Sequence, residues 1–359
     1  MKTLWLRRED KAGEWRVALT PDGAKTLTQN GINVVVERSS HRVFSDQEYL
    51  AAGAELSDLA WWQAPDDAII LGLKELADSD TAIAHTQIYF SHTFKGQSGA
   101  QQVLQRYASG GGALFDLEFL QDDQGRRIAA FGYWAGFVGA ALGMLGLAHY
   151  QHSDQAFPSA QRFASQQQLV ETVTTALGGQ SLRVMVMGAL GRCGTGATDL
   201  LRQLGATVDI SRWDIAEFNA VEKPIRAIIE HDVFINCVYL REPIRPMIDP
   251  GLLADNQRLK IISDVSCDPN NPNNPIAVYN ATTSLDAPFR RANGSDHWPV
   301  YVQAIDHLPT LLPREASEEF AAALLPHLLE FLTSTKLPPV WRNAKNRFME
   351  AKRFYGLSN

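Results

Sequence analysis

Three glycines at three-residue steps, in Arg183-Val-Met-Val-Met-Gly188-Ala-Leu-Gly191-Arg192-Cys193-Gly194, follow a short apolar run and open onto a helix-compatible segment. A strand, tight loop and helix start of this kind can cradle a phosphate. Glycine permits positive φ and close approach to a pyrophosphate, and the N–H groups of the first helical turn face the anion. The spacing departs from the usual G-x-G-x-x-G, and a glycine-rich loop alone also simply ends a strand. Residues 205–214 read as a second strand whose last residue, Asp214, lies 20 positions beyond Gly194. A carboxylate there accepts hydrogen bonds from both ribose hydroxyls and repels a 2′-phosphate, so the pair of features favours NAD.

A second set of residues could move protons. Lys74 closes the apolar run 68–73 and is followed by Glu75, and His92 ends the run 88–92. Each alone reads as a solvated lysine or a structural histidine. At the carboxyl ends of successive parallel strands, however, they would share one crevice mouth, with Lys95 just beyond and Arg16 near the first strand-to-helix turn. Clustered cations depress the pKa of a partly buried lysine toward neutrality, as a general base requires. Residues 118–127 offer Glu118, Arg126 and Arg127, which form either a charged hairpin or a recognition site. Guanidinium groups clamp carboxylates bidentately while Glu75 and Glu118 attract an ammonium, which would suit a zwitterionic or dicarboxylic amino acid. Asp306 reads at this level as a helix cap with Pro309 in the first turn.

The elements that would carry these residues alternate. Short strands fall at 3–6, 34–37, 68–73 and 88–91, with helices at 22–30 and 46–52 between the earlier ones, which implies a largely parallel sheet flanked by helices. Residues 151–168 read as a solvated linker or irregular helix. The nucleotide-binding βαβ begins at Leu182 and continues through strands ending at Asn236-Cys237 and Asp264. The Pro/Asn-rich run 267–275 cannot be regular structure and either borders the ligand crevice or is a surface connection. Cys193 and Cys237 both approach that crevice, which leaves free thiols and a disulfide open. The run 131–149 is long enough to span a bilayer, but its five glycines at three- and four-residue steps supply little hydrophobic drive, so a buried, closely packed helix is expected. The terminal basic stretch 342–353 reads as a solvated helix face.

The bulk composition narrows the class. With 359 residues, 45% of them hydrophobic, the chain can bury about two cores, and a net charge of −7 from 33 basic and 40 acidic residues argues against a nonspecific nucleic-acid binder. Three cysteines without metal-ligand spacing suggest neither a zinc site nor a disulfide framework, and a reducing, cytoplasmic compartment is expected. The N-terminus looks like a first strand rather than a signal peptide.

Taken together, Arg16-Val-Ala-Leu-Thr-Pro21, Gly72-Leu-Lys74-Glu75, Asp116-Leu-Glu118, Gln124-Gly-Arg126-Arg127, Gly188 to Gly194, Trp213-Asp214 and the stretch from Ile305-Asp306 to Ser317 resemble the NAD-dependent, lysine-forming saccharopine dehydrogenases, within the wider alanine dehydrogenase and transhydrogenase fold group. The resemblance runs through nearly the whole chain and accounts for the unusual glycine spacing. It implies an α/β protein of two Rossmann-like domains with mostly parallel sheets flanked by helices and the active site in the interdomain cleft. Residues 1–130 with 309–359 would form the substrate domain, and 131–308 the NAD-binding domain. The implied reaction is reversible oxidative cleavage of saccharopine to lysine and 2-oxoglutarate. Lys74 would take the amine proton and His92 would activate water. Arg16 and Arg127, assisted by Lys95 and Arg126, would bind the glutarate carboxylates. Glu75 and Glu118 would face the lysine part, Asp306 would lie near the nicotinamide, and Gly188, Gly191, Arg192, Cys193, Gly194, Asp214 and Cys237 would line the cofactor. The competing readings are an alanine-dehydrogenase-like or other opine-type enzyme, and a nucleotide-binding regulator without turnover.

Overall fold

The computed structural model describes residues 2–94, 99–221, 224–238, 240, 242, 246–269, 271–295 and 297–357. The chain forms two compact units, one of Met1–Ala130 with Pro313–Asn359 and one of Phe131–Leu312.

In the first unit, β1 (Thr3–Leu6), β2 (Asn33–Glu37), β3 (Glu55–Ser57), β4 (Ile69–Leu71), β5 (Thr86–Tyr89) and β6 (Ala113–Asp116) form a sheet in the order β3-β2-β1-β4-β5-β6. Every pairing is parallel. The runs of Val, Ile and Leu in β2 and β4 are buried, as expected for strands covered on both faces. Local sequence sets the helix starts. Thr20 caps Pro21–Gln29 by accepting from the Gly23 amide at 3.2 Å, and Ser45 and Glu48 form a reciprocal capping box for Asp46–Ala51. The C-terminal helices Pro313–Thr333 and Pro339–Phe354 belong to this unit because Trp341 stacks on Phe331 and meets Phe115 edge-on, while Phe348 packs on Phe94 and Tyr107.

In the second unit, β7 (Leu182–Met187), β8 (Val208–Trp213), β9 (Val233–Asn236), β10 (Ile261–Asp264), β11 (Arg290–Arg291) and β12 (Tyr301–Gln303) run in the order β11-β12-β10-β9-β7-β8. Only β11 is antiparallel among these pairings. The glycine-rich run forms the buried helix Gly132–Tyr150. It packs backbone-close on the helix Arg192–Gln203: a Cβ at Gly136 would lie 1.8 Å from the Cys193 carbonyl oxygen, and one at Gly196 would lie 1.9 Å from that of Tyr133. No helix among the described residues is long and apolar enough to cross a membrane.

Several element ends differ from expectation. β4 stops at Leu71 and β5 at Tyr89, so Lys74 and His92 each stand three residues beyond a strand rather than closing one. The amides of Leu73 and Lys74 bond to the Glu9 carboxylate instead of a neighbouring strand, and Ser91 turns its hydroxyl to Asp116 at 2.7 Å. Residues 153–164 are irregular, but Ser165 caps a regular helix, Gln166–Leu177. Asp306 is not a helix cap. The 3-10 turn Leu308–Leu311 starts after His307 without a side-chain cap and packs with the second unit, as the nearness of Leu308 to Gly139 shows.

Candidate active site

In an open parallel sheet, ligands gather at the carboxyl ends of the strands where the strand order reverses. In the first unit that point lies between β1 and β4. The loop after β1 carries Arg7, Glu9, Lys11, Glu14 and Arg16, and the bend after β4 carries Lys74 and Glu75. Arg16 and Glu14 form a buried bidentate pair, with Nε and Nη2 donating at 2.7 and 2.5 Å to the two carboxylate oxygens. Burial alone would raise the pKa of Glu14, but Arg16 outweighs it and holds the carboxyl below its ordinary range. Lys74 is half-buried. That burial, and then the charges of Arg16 and Lys11, lower its ammonium pKa from the ordinary lysine value against the opposing pull of Glu14 and Glu75.

His92 sits at φ +54°, the only non-glycine residue with positive φ among those described. Such a conformation costs of order 1–3 kcal/mol and must be held in place by its surroundings. The holding network is visible. The Ser91 hydroxyl bridges Asp116 at 2.7 Å and Thr93 at 2.8 Å, and Asp116 accepts from the Glu118 amide at 2.8 Å. The Glu118 carboxylate lies 3.6 Å from His92 Nδ1 and 3.7 Å from an Arg127 nitrogen. Glu118 first of all, with help from Glu75 and Asp116, raises the His92 pKa against a lowering by burial. Glu75 pairs with Lys11 at 3.5 Å and feels both Lys74 and His92. Its carboxylate thus electrostatically links Lys74 and His92.

Of the residues expected in this site, the structure brings together Arg16, Lys74, Glu75, His92, Glu118 and Arg127. Arg126 donates its Nε to Asp122 at 2.8 Å across its own exposed turn. Lys95 lies outside the described residues. Sequence reading missed Glu14 and Lys11, although their position just after the first strand at a strand-order reversal was the signal that could have found them.

The second unit has its own reversal between β7 and β9. Gly188 turns there at φ +80°, and a Cβ on it would meet Cys237 backbone at 3.0 Å. A Cβ on Gly194 would lie 2.2 Å from the Gly188 carbonyl oxygen, so the loop can close on the helix only with glycine there. Gly191 and Arg192 start that helix with no side-chain cap on its first amides. Asp214 follows β8, where its carboxylate accepts from the amides of Leu190 at 3.1 Å and Ile215 at 2.9 Å. Leu190 and Ile215 themselves are exposed apolar side chains flanking it. Cys193 and Cys237 are free. Burial, and then a hydrogen bond with the Cys193 thiol, push the Cys237 thiol well up. At the end of β10, the buried Asp264 accepts from Tyr279 at 2.7 Å and Asn236 at 2.9 Å, and burial pushes its carboxyl up to about 6. Asp306 is exposed and lies near Cys267, whose thiol burial and the charges of Asp264 and Asp306 push up.

The positive-φ glycine, the glycine-tight loop, the uncapped helix start and the acid after β8 fit a dinucleotide. They define a two-unit, doubly wound α/β protein with a nucleotide-type loop. The first part matches the family model described as the alanine dehydrogenase/PNT N-terminal domain over residues 5–138. Among solved structures, L-alanine dehydrogenase aligns with a TM-score of 0.68 at 16% identity over 99% of this chain and 100% of that one. The transhydrogenase from Sinorhizobium meliloti gives 0.63 at 18% identity, covering 92% and 94%. Both likenesses concern the fold. Saccharopine dehydrogenase [NAD(+), L-lysine-forming] of Schizosaccharomyces pombe is 46% identical over 96% of this chain and 97% of its own length, and that of Candida albicans is 43% identical over 96% of each. The chain belongs to the family of NAD(+)-dependent, L-lysine-forming saccharopine dehydrogenases.

Proposed function

We propose that the chain catalyses the reversible NAD-dependent cleavage of saccharopine to L-lysine and 2-oxoglutarate, as the names of its full-length relatives describe for them. As a member of that family it is an NAD-dependent oxidoreductase of lysine metabolism. The observation that carries the mechanism is the half-buried Lys74, whose pKa is lowered by burial and by Arg16 beside a strand-order reversal. The first unit would hold the substrate chemistry and the second the cofactor.

NAD, when bound, supplies the hydride acceptor. Gly188, Gly191, Arg192, Cys193, Gly194 and Cys237 would border its pyrophosphate, Asp214 would hold the ribose diol, and Asp306 would stand near the nicotinamide. Lys74 Nζ accepts the proton of the substrate's secondary amine, for which it must be neutral. His92 then takes a proton from water as its oxygen adds to the imine carbon, and returns that proton to the nitrogen as the C–N bond breaks and lysine departs. Its Nδ1 faces Glu118, so Nε2 is the working atom. Glu118 stabilises the imidazolium formed in that step. Arg16 and Arg127 would orient the carboxylates of the glutarate part, and Glu75 and Glu118 the ammonium of the lysine part. We further read the protein as cytoplasmic and free of nucleic-acid partners, on the strength of its free thiols and acidic balance.

The test is NADH consumption with 2-oxoglutarate, scanned over lysine, ornithine, ammonia and no amine. Lysine should be preferred by at least about tenfold over ornithine, because a missing methylene in a fitted pocket costs roughly 10-fold or more. Equal rates with ammonia would favour the alanine-dehydrogenase-like reading, and no turnover with any amine the regulator reading.

A further inference from the structure

We propose that Glu9 is a positioning residue for Lys74, acting with Arg7 and Gly72 as a clamp on the Lys74 backbone; this rests on the reading of Lys74 as the base. Past β4 the Gly72 amide and the Leu73 carbonyl still pair with Ile88 and Phe90, but the amides of Leu73 and Lys74 bond to no strand. Buried backbone donors must find partners. Both find one carboxylate: Glu9 Oε1 accepts from Leu73 N at 2.7 Å and Oε2 from Lys74 N at 2.9 Å. On the other side of the same residue, the Arg7 guanidinium donates to the Lys74 carbonyl oxygen. The two clamp residues are themselves paired at 3.3 Å, with side chains 1% and 8% exposed. Lys74 is thus held at its amide and its carbonyl by two side chains from the end of β1.

Gly72 completes the device. A Cβ there would lie 2.2 Å from Arg7 Nε and 2.7 Å from Nη2, so only glycine lets the guanidinium pass across the bend to reach the Lys74 carbonyl. The ion pair is not needed to hold the sheet itself, since Arg7 N already bonds to Leu71 O at 3.0 Å and continues the β1–β4 ladder. What the side chains add is a fixed position for a residue outside regular structure. A lysine has four rotatable bonds, and its Nζ can be placed only if its Cα is first fixed. Glutamine cannot replace Glu9, because its amide nitrogen would present a donor to one of two consecutive N–H donors.

Glu9→Gln should lower kcat by roughly 10- to 100-fold, the scale of a misplacement of about 1 Å in a reacting group, with KM for NADH unchanged. The decisive comparison repeats the substitution in a Lys74→Met background. There it should change the residual turnover by less than about 2-fold, because a residue acting only through Lys74 has nothing left to position. Gly72→Ala, which displaces Arg7 while keeping Glu9, should show the same dependence on background and serves if Glu9→Gln is poorly folded by thermal melting. Normal turnover in folded Glu9→Gln or Gly72→Ala, or the same fold-loss in both backgrounds, overturns the positioning role. Normal turnover of Lys74→Met alone would instead strike down the reading of Lys74 as the base, and the clamp's purpose with it.

Discussion

At the scale of single residues, the surroundings of two side chains push their pKa values toward each other. Burial and neighbouring cations lower Lys74, and Glu118 raises His92. Lys74→Met and His92→Gln should each lower turnover by about 10²–10⁴-fold, the usual contribution of general acid–base catalysis, while equilibrium NADH binding is retained. The double variant should lose much less than the product of the two, since groups sharing one proton path are non-additive. The direction of a pH effect also follows. Because the Glu118 carboxylate favours the charged imidazolium, Glu118→Gln should move the His92 limb of the pH–rate profile to lower pH. A limb that stays in place, or moves up, would detach His92 from Glu118. Lys74, His92, Glu118 and Asp214 were all legible as candidates from residue type and position. Glu9 and Glu14 were not, because an acid in a loop looks solvated until the fold shows that it is buried against an arginine or a backbone bend.

At the scale of elements, the order of strands and helices could be read from periodicity and capping, and the glycine helix from its three- and four-residue spacing. The ends of β4 and β5 could not, because the apolar runs 68–73 and 88–91 continue past the last strand residues, Leu71 and Tyr89, and only the fold shows the Glu9 carboxylate taking the amides of Leu73 and Lys74. The glycine contacts offer a direct check on the helix pair Gly132–Tyr150 and Arg192–Gln203. In an exposed helix Gly→Ala gains about 1 kcal/mol from propensity. At Gly136 the new Cβ would lie 1.8 Å from a carbonyl oxygen, and overpacking against backbone costs typically about 1–3 kcal/mol. The clash should win, so Gly136→Ala should lower the melting temperature. An unchanged or raised Tm would mean that the two helices can separate at no cost. The same unit should show cofactor choice in one acid. Asp214→Ala should erode the preference for NADH over NADPH, measured as the ratio of kcat/KM values, and an unchanged ratio would remove Asp214 from the ribose site.

At the scale of the whole molecule, each of two doubly wound units has a strand-order reversal, with Lys74 and its charged neighbours at one and the glycine loop at the other. Length and alternation of elements foretold such a fold. The sequence already suggested that residues 309–359 join the first part of the chain; what it did not show is the contact that does so, Trp341 on Phe115 and Phe348 on Tyr107, between residues more than 200 positions apart. Composition alone narrowed little, arguing only against a nonspecific nucleic-acid binder. The claim that unites these levels is the reaction itself, and the most direct measurement is product stoichiometry. Incubation of the purified protein with saccharopine and NAD should yield NADH, lysine and 2-oxoglutarate in equal amounts, and Lys74→Met should slow all three together. NADH formed from saccharopine without matching lysine, or no NADH from saccharopine while alanine is oxidised, would contradict the account.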